Sequence, residues 1–215
     1  MNITKKFRTR LIHLSVLVTL ILSLLAVSPV TAAANPLSAD EIAGLQFMRE
    51  EEKLARDVYL TLYQKWSLPI FNNIAQSEAT HMAAIKALLD RYGIADPAAG
   101  KAVGGFTDPT LQVLYHQLIA QGNQSLSAAL KVGGAIEEID ILDLKERVAS
   151  TAHADIKTVY NNLLNGSYNH LRSFVNTLKT QTGEVYQPQY LDAVTYQSII
   201  SGSNGRSGRS GGGWR

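Results

Sequence analysis

The chain has 215 residues, which is enough for one domain with its own hydrophobic core. It contains no cysteine, so disulfides, zinc–thiolate sites and iron–sulfur clusters are excluded, and any metal must be bound by oxygen and imidazole nitrogen. The formal net charge of +2 becomes −2 when the four cations of residues 1–34 are left out. Such an acidic body is not typical of a nucleic-acid-binding domain.

The first residues are typical of a protein export signal. A basic segment precedes the apolar run 11–27, and the small residues of 31–34 follow it. The basic residues are Lys5, Lys6, Arg8 and Arg10. This pattern predicts a signal peptide over residues 1–34, cleaved after Ala34, and a secreted, periplasmic or cell-envelope protein with no membrane attachment after cleavage. An uncleaved membrane anchor is the alternative, because the apolar run is close to the length that spans a bilayer.

Helix start and stop signals divide the next residues into two long helices. Ser38 and Glu41 form a capping box, which predicts a helix over residues 39–66. Pro69 breaks this helix and can open a second one, over residues 69–92, which Gly93 ends. The glycine- and proline-containing residues 94–107 are predicted to form a loop.

Further start and stop signals predict three more long segments and a short one. Pro109 starts a third helix that runs to residue 121, and Ser125 or Ser127 caps a fourth that runs to residue 150. A fifth helix is predicted over 151–182 and a short helix over 191–200. No stretch alternates with a period of two residues, so the body is predicted to be all-α.

This order of elements predicts a four-helix bundle over residues 35–200, with the third helix in the crossover. Residues 201–215 are rich in glycine, serine and arginine and have only one tryptophan to bury. They are predicted to be a disordered, solvated tail. A weak contact of this tail with an anionic surface or a nucleic acid is the alternative.

Glu52 lies in the middle of the apolar face of the first helix. The apolar residues within about 80° of it on a helical wheel are Leu45, Met48, Ala55, Tyr59 and Leu62. A lone buried carboxylate costs several kcal/mol unless it is paired, protonated or bound to a metal. Glu51 also touches this apolar arc, so periodicity alone does not choose between the two acids.

The second helix carries an E-x-x-H motif, Glu78 and His81, inside its apolar arc. This spacing lets a carboxylate and an imidazole reach the same ion. The motif alone is weak, because a core histidine can simply be hydrogen-bonded.

The fourth and fifth helices each add inward polar residues. Glu137 is centred on the apolar stripe of the fourth helix, and Asp140 lies one turn further on the same face. Glu138 lies at the edge of the stripe and is predicted to be solvated. His170 is aligned with the apolar residues of the fifth helix.

Four predicted helices therefore each place a metal-capable side chain on the buried face. The candidate ligands are Glu52, Glu78, His81, Glu137, His170 and Asp140. Their coincidence favours a metal site. The alternatives are a buried Glu–His hydrogen-bond network, or acids paired with Arg56 and Arg172.

These residues resemble the ferritin-like superfamily. The segment E-K-L-A-R-D-V-Y that begins at Glu52 is similar to the first-helix ligand segment of rubrerythrins, and that similarity picks Glu52 over Glu51. Glu78-x-x-His81 matches the second-helix motif, and the pair Glu137 and Asp140 resembles the rubrerythrin pair of acids. The longer motif M-R-E-E-E-K-L-A-R-D-V-Y with a later G-S-Y-N-H-L-R resembles a bacterial domain family of unknown function assigned to that superfamily. The resemblance covers about residues 38–190.

The resemblance implies a carboxylate/histidine di-iron or Fe/Mn centre with redox or ferroxidase-type activity. In it, Glu137 or Glu52 would bridge or terminate and Glu78 would ligate. Members with a full di-iron site carry E-x-x-H on the last helix, whereas Ser167 stands three residues before His170 here. Either Asp140 or Glu51 substitutes for the missing ligand, or the site holds one metal or binds two unequally.

Two other functions are consistent with the resemblance. The bundle can be a non-catalytic module that binds or sequesters a metal for structure, or that binds no metal. Iron storage in a shell would require a homo-oligomer. Tyr59, on the same seam as Glu52, is interpreted as an ordinary core aromatic with its hydroxyl satisfied. The alternative is a hydrogen-bond donor or a radical quencher at the site.

Overall fold

The computed structural model describes residues 36–202, and this part of the chain is helical, with six helices and no strand. The helices are α1 (Ala39–Trp66), α2 (Pro69–Tyr92), α3 (Pro109–Gly122), α4 (Leu126–Ser150), α5 (Ala154–Thr182) and α6 (Ala193–Ser201). The predicted all-α body is confirmed. The export signal predicted over residues 1–34 and residues 203–215 of the predicted tail lie outside the described residues.

The predicted helix start and stop signals of α1 and α2 are confirmed. The Ser38 side chain accepts from the Glu41 backbone N–H while the Glu41 carboxylate accepts from the Ser38 backbone N–H, so the capping box at the start of α1 is formed. Pro69 is the first residue of α2, and Gly93, with φ of 66°, ends it in the left-handed region. The predicted start of α5 at Thr151 is wrong by three residues, because Thr151 caps α4 with an extended backbone and His153 is the N-cap of α5.

The four long helices surround a common interior. Helix α1 packs along α2, and α4 packs along α5. These two pairs meet through contacts of α1 with α4 and of α2 with α5, while α3 lies against α1 and α4. The interior is filled by large side chains with no exposed surface, among them Leu45, Met48, Tyr59, Phe71, Ile85, Leu130, Ile141 and Phe174.

One charged face of α1 holds the loop 94–107. The Arg49 guanidinium donates to both oxygens of Asp96 at 3.0 Å. The Glu50 carboxylate accepts from the backbone N–H groups of Thr107 and Asp108. Arg49 and Glu50 are therefore buried because their charged groups are satisfied by hydrogen bonds to this loop and to the start of α3.

A second ion pair on α1 binds the same loop one turn further along. Lys53 and Asp57, four residues apart and both inaccessible to solvent, form a close ion pair. Lys53 also donates to the Ala102 carbonyl, and Asp57 accepts from the Gly104 N–H and from Arg56. This buried network explains the polar half of the α1 motif without reference to a metal.

Glu138 is buried, so its prediction as a solvated residue is wrong. It has no exposed surface and accepts from the Tyr186 hydroxyl at 2.7 Å and from the backbone N–H groups of Gln189, Tyr190 and Leu191. These donors come from the segment after α5. Periodicity within α4 could not show them, because they lie about fifty residues away along the chain.

Within residues 36–202, none of the helices combines the length and the apolar character needed to cross a bilayer. The last helix ends at Ser201, so α6 takes in the first residue of the predicted tail.

Candidate metal centre

The first group of metal-capable side chains joins α1 and α2. The E-x-x-H spacing places Glu78 and His81 on one buried face of α2. The Nδ1 atom of His81 lies 2.8 Å from Glu78 Oε2 and 3.2 Å from Oε2 of Glu52. Glu52, Glu78 and His81 thus form a buried triad whose ligand atoms all lie within 4.8 Å of one another.

The second group joins α2, α4 and α5. The Nδ1 atom of His170 lies 2.8 Å from Glu78 Oε1 and 3.4 Å from Oε2 of Glu137. Glu78, Glu137 and His170 form a second buried triad with ligand atoms within 4.8 Å. Glu78 belongs to both triads and directs one carboxylate oxygen to each imidazole.

The two imidazoles face each other across this shared carboxylate. The rings of His81 and His170 are stacked with centroids 5.4 Å apart. Each ring turns its Nδ1 atom toward the acids, so both imidazoles offer the same nitrogen to the interior.

Several polar atoms at the centre have no hydrogen-bond partner. Oε1 of Glu52 is buried and has no partner, whereas Oε1 of Glu78 and Nδ1 of His170 form an ion pair 2.8 Å apart without hydrogen-bond geometry. Buried polar groups in folded proteins are nearly always satisfied. The unpartnered Glu52 oxygen, together with the acids and imidazoles of the two triads, marks a group of residues that could hold a metal ion.

The pKa values of the acids at the centre are shifted because several carboxyl groups are buried close together. Burial raises the pKa of Glu52, an effect strengthened by Asp140 and opposed by His81. Burial likewise raises the pKa of Asp140, to about 8, with a further contribution from Glu137. Burial also raises the pKa of Glu78, but the two imidazoles outweigh it and the pKa is lowered.

The imidazoles respond in the opposite sense. Burial lowers the pKa of His81, but hydrogen bonds and charge from Glu52 and Glu78 outweigh it and raise the pKa to about 11. Burial lowers the pKa of His170 as well, and contacts with Glu137 and Glu78 raise it to about 10. Without a metal, protonated imidazoles therefore supply the positive charge that the acids require.

Outer contacts orient the candidate ligands. The Tyr59 hydroxyl donates to Oε1 of Glu137 at 2.6 Å. The Nε2 atom of His170 lies 2.9 Å from the Ser77 hydroxyl, which holds the ring by its other nitrogen. Such contacts set the direction of a ligand and tune its basicity. Tyr59 is a core aromatic with its hydroxyl satisfied, as predicted, and the partner of that hydroxyl is a candidate ligand. Ser77 was not singled out in the sequence.

Gly166 allows α5 to approach His81. A Cβ atom at this position would lie 2.5 Å from Nε2 of His81, a distance that no side chain could accept without displacement. The glycine inside the helical pattern of α5 was the sequence signal for this close approach.

Asp140 lies outside both triads. Its Oδ2 atom accepts a short hydrogen bond from the buried Ser167 hydroxyl, and its Oδ1 atom is unpartnered. Ser167, which stands where a further ligand was expected, thus binds an acid of α4 through its hydroxyl.

Glu51 also lies outside both triads. Glu52, rather than Glu51, is the acid of α1 within reach of His81. Burial, together with Asp140 and Asp143 of α4, raises the pKa of Glu51 well above its ordinary value. Five of the six predicted ligands therefore converge, while Asp140 lies beside them.

The fold and these contacts define a class of protein, an all-helical domain with a buried carboxylate–histidine cluster shared between four helices. The chain belongs to the family of the uncharacterized protein domain DUF2202, whose model matches residues 41–203. This result confirms the predicted resemblance to a domain family of unknown function.

The chain is also similar to a relative and to a solved structure. The uncharacterized protein MJ0754 of Methanocaldococcus jannaschii is 52% identical over 172 residues, which cover 80% of this chain and 92% of that protein. The crystal structure of hypothetical protein MJ0754 from Methanococcus jannaschii matches with a TM-score of 0.77 and 51% identity. That match covers 80% of this chain and 97% of the crystallised chain.

Proposed function

We propose that this protein is a ferritin-like, non-haem metal protein whose four-helix bundle holds two transition-metal ions. Glu52 and His81 would bind one ion, Glu137 and His170 the other, and Glu78 would be shared between them. The observation that carries the proposal is the pair of buried triads that meet at Glu78 and leave Oε1 of Glu52 unpartnered.

The excess of acids over imidazoles in the interior supports a bound cation. Four buried acids, Glu52, Glu78, Glu137 and Asp140, face only two imidazoles. Even with both rings protonated, some acids must be neutralised by protons or remain unpaired, and each unpaired buried charge costs several kcal/mol. Two divalent cations would balance the acids and satisfy the unpartnered Glu52 oxygen as well.

The donor atoms favour iron, with manganese as the second choice. Carboxylate oxygens suit manganese, and imidazole nitrogens together with carboxylates suit iron. A thiolate ligand would favour zinc or copper(I), but the chain has no cysteine. A bound iron or manganese pair would supply one-electron redox chemistry, so the proposed activity is redox or ferroxidase-type.

The side chains of this chain would control that chemistry. Glu137 is held by the Tyr59 hydroxyl at 2.6 Å and His170 by the Ser77 hydroxyl at 2.9 Å. The Phe174 ring packs on Tyr59, whose hydroxyl donates to Glu137, with centroids 5.1 Å apart. These contacts would fix the direction of the ligands toward a bound metal.

The centre would be unsymmetrical. Ser167 occupies the position at which full di-iron members of the resembled superfamily carry a glutamate, and its hydroxyl binds Asp140 instead of offering a carboxylate. Glu78 would then be the one acid shared by the two triads of the proposed centre. Asp140 remains available to one ion if Ser167 releases it.

A non-catalytic helical module is the second candidate function. It is favoured by the raised pKa values of His81, about 11, and His170, about 10, which describe imidazolium–carboxylate pairs that hold the bundle together without metal. In this function the centre is a structural network, or it sequesters a metal without redox cycling.

Iron loading separates these functions. The full chain is loaded with Fe²⁺ without oxygen, its iron content is measured by elemental analysis, and oxygen is then admitted while the iron oxidation state is followed by Mössbauer spectroscopy. Two irons per chain that become Fe³⁺ support the redox protein. Bound iron that stays Fe²⁺ supports sequestration, and the absence of bound iron and manganese supports the structural network.

Substitution of the shared carboxylate is the sharpest test of the site. Glu78→Gln should abolish the binding of both ions, because each triad loses an anionic oxygen. Asp90→Asn removes an exposed acid from the same helix and should retain full metal content. Full metal stoichiometry in Glu78→Gln would exclude Glu78 as a ligand.

We also propose that residues 1–34 direct the protein out of the cytoplasm, so that the centre works in the cell envelope or outside the cell. The basis is the basic segment followed by an apolar run and small residues. The intact mass of protein purified from its native compartment should begin at Asn35. A mass that retains residues 1–34 would favour the anchor instead.

A further inference from the structure

A cavity of about 750 Å³ lies between the second half of α5, the segment that follows it and α6. None of the candidate metal ligands lines it, so the proposed centre does not explain it. Arg172, Asn176 and Lys179 are four and three residues apart on α5, which places them on one face of the helix along the cavity. Sites that bind small molecules typically enclose about 300–1,000 Å³, so this cavity has the size of a ligand site.

Hydrogen bonds hold two walls of the cavity in place. The buried carboxylate of Glu138 accepts from the Tyr186 hydroxyl and from the backbone N–H groups of residues 189–191. The Arg172 guanidinium donates to the Ile199 carbonyl at 2.9 Å and so joins the end of α6 to α5. A site whose walls are fixed before a ligand arrives binds that ligand at a lower entropic cost.

The buried side of the cavity is aromatic and apolar. The rings of Tyr186 and Tyr196 line it with their centroids 6.0 Å apart, and both side chains are buried. Val175, Pro188 and Ile200 are partly buried lining residues. This surface suits the apolar body of a ligand, and the two tyrosine rings suit an aromatic one.

The charge of the cavity is positive, although residues 36–202 as a whole carry an excess of acidic side chains. Arg172 and Lys179 line the cavity, and none of the lining residues in the described part of the chain is acidic. Lys179 is exposed and forms no ion pair within residues 36–202. A concave surface of one charge sign raises the local concentration of ligands of the opposite sign.

Acids close to the cavity along the chain are bound to other groups. Glu184 forms an ion pair with Lys131 of α4. The Asp192 side chain accepts from backbone N–H groups in the first turn of α6. These carboxylates therefore do not neutralise Lys179, and an incoming anion is the partner that this ammonium group fits.

We propose that the cavity binds a small aromatic carboxylate. Its carboxylate would pair with the Lys179 ammonium, and its ring would lie against Tyr186 and Tyr196. Arg172, which is already bonded to the Ile199 carbonyl, would add fixed positive charge. This inference does not depend on the proposed metal centre, so either proposal can fail without the other.

The test uses a fluorescent aromatic anion and its neutral analogue. The full chain is titrated with anilinonaphthalene sulfonate and, separately, with anilinonaphthalene, which has the same rings without the charge. Lys179→Met keeps the length of the side chain and should weaken binding of the anion roughly fivefold, about the contribution of one exposed ion pair. It should leave binding of the neutral probe unchanged. Naphthoate should displace the anionic probe competitively.

Two further variants locate the site. Lys157→Met removes an exposed lysine of the same helix that does not line the cavity, and it should bind both probes as the wild type does. Ala193→Phe places a ring at an exposed lining position of α6 and should weaken binding of both probes by filling the cavity. Equal weakening of the anion in Lys157→Met and Lys179→Met would overturn the site in favour of a general surface field.

The remaining outcomes test the ligand class. Unchanged affinity for the anion in both Lys179→Met and Ala193→Phe, or no saturable binding to the wild type, would overturn the site. Equal affinity for the two probes, with no effect of Lys179→Met, would overturn the anionic ligand, and failure of naphthoate to compete would overturn the carboxylate. Trp214→Ala should bind both probes as the wild type does. Tighter binding in that variant would mean that the chain's own C-terminal residues compete for the cavity and would overturn its assignment to a free ligand.

Discussion

Gly166 shows how one residue without a side chain positions the candidate centre. Its Cα lies so close to His81 that a Cβ atom would be 2.5 Å from the imidazole Nε2. The glycine therefore lets α5 bring His170 toward Glu78 while leaving room for His81. A helix interior otherwise disfavours glycine by roughly 1 kcal/mol relative to alanine, so the close approach must compensate for that loss.

Gly166→Ala should weaken metal binding. The added methyl group must displace the His81 ring or push α5 outward, and either change separates the ligands of the first triad. We expect metal affinity, measured by competition with a chromophoric chelator, to fall at least tenfold in this variant.

Asn165→Ala is the matched control for this prediction, because it alters an exposed neighbour on the same helix. It should keep wild-type affinity. Unchanged affinity in Gly166→Ala, together with the higher stability that alanine brings to an open helix position, would show that the contact with His81 is unimportant.

Neighbouring residues of the α1 motif have two different roles: some bind the loop 94–107 and one is a candidate metal ligand. Arg49, Glu50, Lys53 and Asp57 hold the loop 94–107, while Glu52 points into the bundle toward His81. Because successive helical residues are about 100° apart, adjacent glutamates necessarily face different neighbours. The dense charge of this motif therefore reflects both a loop anchor and a candidate ligand.

Asp57→Ala should destabilise the protein strongly. The buried Lys53 ammonium would lose its carboxylate partner and the Gly104 N–H its acceptor. Removal of one partner from a buried ion pair typically costs about 3–5 kcal/mol, measured here as the free energy of unfolding in urea.

The pair Lys86 and Asp90 on α2 provides the control, since it has the same four-residue spacing but 47% and 61% side-chain exposure. Asp90→Ala should change the free energy of unfolding by less than about 1 kcal/mol. Similar losses in the two variants would mean that burial does not govern the Lys53–Asp57 pair.

Glu41 links the beginning of α1 to the beginning of α5. Its carboxylate accepts from the Ser38 N–H, from the Thr151 hydroxyl at 2.7 Å and lies 2.8 Å from Nδ1 of His153. Burial raises the pKa of Glu41, but these hydrogen bonds outweigh it and lower the pKa from 4.5 to about 2.

The lowered pKa predicts the pH dependence of this link. A carboxyl group with a depressed pKa in the folded state stabilises the fold above its unfolded pKa and loses that effect as the pH falls. Glu41→Gln should therefore lower the melting temperature relative to wild type at pH 6, and the difference should shrink between pH 4.5 and about 2.

Asp40→Asn removes an exposed acid from the same helix turn and controls for the helix dipole. Its melting temperature should stay close to that of wild type across this pH range. A difference between wild type and Glu41→Gln that persists unchanged at pH 2 would contradict the assigned pKa.

At the scale of the whole molecule, the candidate centre connects all four long helices. Glu52 comes from α1, Glu78 and His81 from α2, Glu137 from α4 and His170 from α5. A metal bound by these residues would hold the two helix pairs together at mid-height. Metal binding and folding are then linked, because the site does not exist in the unfolded chain.

Metal should therefore raise the melting temperature of the protein. Ligand at about a thousand times its dissociation constant stabilises the folded state by roughly 4 kcal/mol, which for a domain of this size is about 10 °C. Calorimetry of the full chain with and without Mn²⁺ measures this shift. Glu78→Gln should show no shift, and an equal shift in both proteins would indicate binding at surface acids instead.

The ends of α1 and α2 and the inward positions of Glu52, Glu78, His81, Glu137 and His170 were determined by the sequence, since capping and helical periodicity are local. The tertiary structure alone decided that Glu78 is shared and that Glu138 binds the segment after α5. Periodicity left Glu51 and Glu52 open, and the structure places Glu52 beside His81, as the resemblance implied. The reason is that contacts between helices depend on their relative rotation and offset. Packing of the whole interior sets both, and no single helix encodes them.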